Sequence, residues 1–135
     1  MALKHKVINM EIKVSVGELL DKITILGIKL NKLKNSEKLD NVRKEWDYLS
    51  TKIPTSIKDD IQFAPLFNKL LSINRELWDI EDGKRECERK KEFGEHFIDL
   101  ARQVYIKNDL RAAIKKEINI HFNSEFTEEK SYKKY

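Results

Sequence analysis

Hydrophobic residues recur along most of this chain at intervals of three and four, the period of an amphipathic helix. The longest such stretch, residues 65–91, puts Leu66, Leu70, Ile73, Leu77 and Ile80 on one face, with Leu71 and Trp78 widening it. Pro65 suits a first helical position, where its missing N–H costs nothing. Beyond Ile80 the stripe stops and residues 81–92 are almost entirely charged, so this helix has a buried half and a solvated half. Upstream, Leu19, Ile23, Leu26, Leu30 and Leu33 form another seam. Ser15-Val-Gly-Glu18 opens it as a capping box, in which the Ser hydroxyl accepts from Glu18 N–H and the Glu carboxylate reaches back. Gly27 costs this helix roughly 1 kcal/mol against Ala, which predicts a neighbour in close approach. After Asn35-Ser36, the residues Leu39, Val42, Trp46, Leu49 and Ile53 repeat the pattern as far as Pro54. The short link between these two helices predicts an antiparallel pair. Residues 55–64 read as a connector with its own apolar side, Ile57, Ile61 and Phe63.

In the C-terminal half, Phe97, Ile98, Leu100, Ala101, Val104, Tyr105 and Ile106 cover most of a helix circumference, the mark of a buried helix. Asn108-Asp109 reads as a cap that restarts the chain in a further helix to about Phe122. There Leu110, Ile114 and Ile118 form one row, and Arg111, Lys115 and Asn119 the next. In the tail, Thr127 ahead of Glu128-Glu129 has the form of a cap, and Phe126 and Tyr132 are expected to dock. Only residues 7–14 alternate, with Ile8, Met10, Ile12 and Val14 opposite Asn9, Glu11, Lys13 and Ser15. A lone strand leaves its backbone groups without partners, so it pairs with a second copy or lies extended over the helices. The expected fold is all-α, a single helical domain over residues 1–135. It is a bundle of about five helices with one short N-terminal extended segment and a docked C-terminal tail.

Composition agrees with this. Charged residues are 37% of the chain and hydrophobic ones 40%, with four Gly and two Pro, the profile of a soluble helical domain. At 135 residues a core can form without staples. The net charge of +4 permits an anionic partner. No one-signed face with interleaved aromatics is present, so nucleic acid is not an expected partner. Cys87 is the only cysteine, which excludes an internal disulfide. Lys4 and Lys6 precede no apolar run, and no run reaches the length of a membrane span. The cytoplasm is the expected location, with no membrane partner.

The row Arg111, Lys115, Asn119 lies beside a core-facing row, where side chains are half-buried and held in place. Together with Arg102 and Lys130 it describes a cationic pocket for a phosphate or carboxylate, oriented by Tyr105, Asn108, Asn119 and Tyr132. A helix N-terminus at Asn108-Asp109 would add N–H donors. The same cations can instead pair with Asp109, Glu117, Glu128 and Glu129 as ordinary salt bridges. Glu76 and Asp79 have the spacing of a helical metal site, as in all-helical nucleotide pyrophosphohydrolases, and only Glu18 with Asp21 offers a second pair. Helix-surface pairs from Arg75 to Asp79 and from Glu81 to Arg85 also explain these carboxylates. His5, His96 and His121 are far apart and lack ligand-like partners. Cys87 reads as a small apolar filler. There is no Gly-rich phosphate loop and no nucleophile elbow. Neither a metal nor a cofactor is expected.

Five strings stand out: residues 17–26 (GELLDKITIL), 77–82 (LWDIED), 100–105 (LARQVY), 108–115 (NDLRAAIK) and 128–132 (EEKSY). Together they resemble a family of small bacterial and viral proteins catalogued only as a domain of unknown function. The resemblance spans nearly the whole chain. It implies the helical class but no activity, catalytic residue or ligand. Lys84 and Gly27 stand where that family is expected to carry an apolar residue and a Glu. A looser likeness is to helical chorismate mutases, through the first long helix, the Arg43-Lys-Glu45 turn and the third helix. The C-terminal half has no place in that fold. Three functions remain in view. The first is binding of a small anionic ligand. The second is assembly or adaptor work, as a homo-oligomer or with a partner, through the lone strand or the half-bare 65–91 helix. The third is a small enzyme of one of the two helical kinds just named.

Overall fold

The computed structural model describes residues 6–135; His5 and Lys4 lie outside the described residues. It is all-α: α1 Val16–Lys32, α2 Ser36–Ser50, α3 Thr55–Lys58, α4 Phe63–Lys90 and α5 Glu95–His121. Residues 7–15 form no helix or strand. Half of the capping box at α1 is made, since Ser15 Oγ accepts from Glu18 N–H at 3.0 Å. The other half is not, because the Glu18 carboxylate is turned across to Lys115 on α5. Asn35 opens α2 by accepting from Lys38 N–H at 3.0 Å, and the three-residue link folds α2 back on α1. Close approach at Gly27 is absent: a Cβ there would meet only Trp46 Nε1, at an ordinary 3.7 Å. α4 begins at Phe63, which puts Pro65 third in the helix. That position is still within the turn whose N–H groups have no intrahelical acceptor.

Leu20 and Ile23 of α1, Ile57 of α3, Leu66, Leu70 and Ile73 of α4, and Ile118 of α5 pack with Ile53 into the core. α3 is the connector of residues 55–64 with one helical turn in it, and it buries Ile57 while Ile61 stays exposed. In α2 no residue is buried; Trp46 and Leu49 cover the core from outside.

Two expectations for the C-terminal half are corrected. α5 is one unbroken helix, so Asn108-Asp109 does not restart the chain. The preference of Asn and Asp for caps is worth only tenths of a kcal/mol inside a helix, and no Gly or Pro between Glu95 and His121 enforces a break. Nor is the first half of α5 buried; Ile98, Ala101 and Tyr105 are exposed. Length explains this. α4 and α5 each run about 40 Å, against about 26 Å for α1. Lys32, at the end of α1, reaches Asp79 at 3.5 Å, so α4 beyond that level runs past α1. There α4 and α5 form a hairpin, turned by Lys91 in the left-handed region (φ 56°) with Glu92 N–H donating to Cys87 O at 2.9 Å. Gly83 admits Leu100, whose Cδ1 would lie 3.0 Å from any Cβ.

The tail docks by polar contacts and not as expected. No helix follows Thr127, and Phe126 and Tyr132 are both exposed. Tyr135 is also largely exposed, but it touches α5, its hydroxyl donating to Asp109 Oδ2 at 2.9 Å and its ring edge-on to Tyr105. No helix among the described residues is long and apolar enough to cross a membrane.

Candidate functional site

The site begins where α1 meets α5. Gly17 N–H donates to Asn119 Oδ1 at 2.7 Å, and Val16 N–H to Ser124 Oγ at 3.1 Å. Two of the N–H groups that a helix start leaves unsatisfied are thus taken up by α5 and the tail. One turn on, this approach sets Asp21 against Arg111 and Lys115. Asp21 is 1% exposed. Its Oδ1 accepts from Arg111 Nε at 3.0 Å and from Asn74 Nδ2 at 2.9 Å, and its Oδ2 from Arg111 Nη2. Asn74 also donates to Thr24 Oγ1 at 2.9 Å. Lys115 Nζ lies 3.8 Å from Asp21 Oδ2, 2.7 Å from Glu18 Oε2 and 3.0 Å from Glu128 Oε2 of the tail. Every buried side-chain nitrogen and oxygen among the described residues has a partner.

The charges hold one another. Burial alone would raise the Asp21 carboxyl, but hydrogen bonds from Arg111 and Asn74 and the charges of Arg111 and Lys115 keep it below its ordinary 3.8. Burial would likewise lower Lys115; hydrogen bonds to Glu18 and Glu128 hold it above 10.5. The bond from Lys115 keeps Glu128 below 4.5. A carboxylate lowered in the fold stabilises it above the unfolded-state value and loses that contribution as pH falls through the lowered one. Stability should therefore hold from neutrality to about pH 5 and decline below about pH 4 as Asp21 protonates. The Lys115 contribution should persist until pH rises past 10.5. Thermal unfolding midpoints across pH, in the native chain and in Asp21→Ala, check this: the variant should show the shallower acid decline.

Two cavities open on this cluster and share Asn108 and Arg111. One, of about 270 Å³, is polar and is lined also by Glu18, Lys115, Glu128 and Lys130. The other, of about 440 Å³, adds Ile25, Leu77, Trp78, Glu81, Asp82 and Arg85. Asn108, Arg111, Lys115 and Lys130 thus come together at one place. Asn119 lies behind them, 2% exposed and bound to Gly17 N–H. Arg102, Tyr105 and Tyr132 line neither cavity; Tyr132 borders a separate surface hollow with Asp109 and Lys130. Because α5 is continuous, no helix N-terminus supplies donors at Asn108.

Asp21, Glu18, Asn74 and Trp78 were absent from the residues that the sequence assigns to this site. Asn74 carried a signal: it sits four residues from both Leu70 and Trp78, a polar side chain on an apolar seam. Of the salt-bridge alternatives, Glu128 does meet Lys115, while Glu129 meets Lys116 and Glu117 meets Lys69. On α4, Glu76 pairs with Lys107, Asp79 with Lys32 and Glu81 with Lys84, rather than with Arg75 or Arg85. Among the described residues no three His, Cys, Asp or Glu gather as a metal site, and Glu18 and Asp21 are held by Lys115 and Arg111. Four of the five strings singled out in the sequence meet here, through Glu18 and Asp21, Trp78 and Asp82, Asn108 and Arg111, and Glu128 and Lys130.

Fold and site together define an all-α protein built on a long α4–α5 hairpin, with a buried Asp–Arg–Lys cluster beneath a polar cleft. The chain belongs to the family described as Family of unknown function (DUF6165), whose model matches residues 10–135. No curated protein and no solved structure matches the chain.

Proposed function

We propose that this protein binds a small anionic ligand, a phosphate or a carboxylate, in the cleft bounded by α1, α5 and the tail. The observation that carries the reading is the position of Arg111. Its guanidinium is fixed by the buried Asp21 carboxylate, yet it lines both cavities and keeps N–H donors beyond those given to Asp21. Lys130 on the rim has no carboxylate within salt-bridge distance among the described residues. The tail's own Glu128 sets a carboxylate 3.0 Å from Lys115 Nζ, and an incoming anion has the same partner to take. Trp78, Leu77 and Ile25 in the adjoining cavity suit a ring or apolar group attached to that anion. The cytoplasm is the location proposed with this reading.

Titration calorimetry at low salt against inorganic phosphate, a dicarboxylate and a sugar nucleotide tests this. Lys130→Ala should weaken the bound anion about tenfold or more, the value of one charge-assisted hydrogen bond. Its unfolding midpoint should be unchanged, because Lys130 is exposed. No heat from any of the three ligands would leave Arg111 and Lys115 as salt-bridge residues only.

A second reading, an assembly protein, is favoured by the exposed apolar side chains of residues 7–14.

A further inference from the structure

Residues 7–14 are anomalous for a chain folded alone. Met10 and Ile12 are 89% and 81% exposed, and Val7 and Ile8 are also open to solvent. Met10, Ile12 and Val14 border a groove of about 600 Å³ that is lined also by Leu19, Leu49 and Ile53 and edged by the charged Glu11, Lys22, Glu45 and Lys52. The backbone of the segment has no ladder partner among the described residues. Water can satisfy that backbone, but it leaves the alternating apolar face uncovered.

We infer that this segment pairs antiparallel with the same segment of a second copy, in the register centred on Ile12. Charge selects both partner and register. A two-fold through Ile12 sets Ile12 opposite Ile12, Met10 opposite Val14, Glu11 opposite Lys13 and Asn9 opposite Ser15. The apolar side chains of the paired residues, Met10, Ile12 and Val14, then share one face, and each carboxylate faces an ammonium on the other. Centring on Glu11 or on Lys13 would oppose like charges. Parallel pairing in register would do so at both positions. Centring on Met10 matches the faces but pairs no charges. The ribbon ends at Ser15 because Val16 begins α1. Among the described residues Lys13 has one competing ion pair, with Glu125 at 3.9 Å, and both side chains are largely in solvent. The pairing is independent of the anion-binding reading and stands or falls without it.

Engineered thiols on the full chain test the register, since the native Cys87 is buried and is the only cysteine. Directly opposed Cα atoms lie about 4.5–5.5 Å apart, within the span of a disulfide. Ile12→Cys should therefore cross-link to a dimer under mild oxidation. Met10→Cys alone should not, since its two copies are four residues out of step, about 13 Å. Met10→Cys mixed with Val14→Cys should cross-link. By light scattering the native chain should have twice its 16.0 kDa mass. Glu11→Lys should weaken the dimer about tenfold, and adding Lys13→Glu should restore it. A mass of 16.0 kDa at every concentration would overturn the dimer. Equal cross-linking of Met10→Cys and Ile12→Cys, or no rescue by the charge swap, would overturn the register.

Discussion

Asp21→Ala should lower the free energy of unfolding by about 3 kcal/mol, as measured by urea denaturation at neutral pH. Removing one partner of a buried ion pair costs about 3–5 kcal/mol, because the charge left behind stays desolvated. Two features place this case at the lower end. Arg111 is 29% exposed at its side chain and can turn toward water once released. Lys115 keeps Glu18 and Glu128. Arg111→Met examines the opposite partner. It leaves Asp21 almost wholly buried with only Asn74 and the more distant Lys115, so burial should then raise its carboxyl. The two variants are distinguishable by pH. Asp21→Ala should lose less than the native chain on acidification, whereas Arg111→Met should recover part of its loss as Asp21 takes up a proton. Equal, pH-independent losses of under 1 kcal/mol in both would mean the cluster contributes packing alone.

What the sequence reveals of this molecule follows the range of each interaction. α1 and α2 are legible to within a residue or so at most ends because their caps are local: Ser15 and Asn35 bond to N–H groups three residues on. The core seam of α4 is legible for the same reason, since periodicity is a property of one helix. That of α1 is legible only in Ile23 and Leu26, because Leu20 and Ile28 are buried while Leu19, Leu30 and Leu33 are only half-buried. α5 is misread because two local signals, an Asn-Asp pair and an all-round apolar stretch, carry no information about neighbours. Its first half stays exposed only because α4 and α5 outrun α1. The basic and polar half of the site was visible as the row Arg111, Lys115, Asn119. The acidic half was not, because Asp21 and Glu18 lie about 90 residues or more away in sequence and their pairing depends on how α1 crosses α5. Asp21 next to a seam looks the same whether it faces solvent or a guanidinium.

That crossing is set at Gly17, which gives the second large effect. A Cβ on Gly17 would stand 2.7 Å from the backbone oxygen of Lys115 and 2.9 Å from Asn119 Oδ1. A side-chain amide can rotate aside, but the carbonyl belongs to the continuous ladder of α5 and cannot move without it. Overpacking of this kind costs about 1–3 kcal/mol, and displacing Asn119 also weakens the buried bond from Gly17 N–H, worth about 1 kcal/mol. The better helix propensity of Ala returns up to about 1 kcal/mol, less in a first turn. Gly17→Ala should therefore destabilise by about 2 kcal/mol on balance. Gly27→Ala, in the same helix, isolates the propensity contribution. Its Cβ would make only an ordinary contact with Trp46, so that variant should be more stable by about 0.5–1 kcal/mol. Urea midpoints moving in opposite directions for the two substitutions are the expected result. A gain at both positions would mean that α1 and α5 can separate at Gly17 without loss. In that case the contact would not be what holds Asp21 against Arg111 and Lys115.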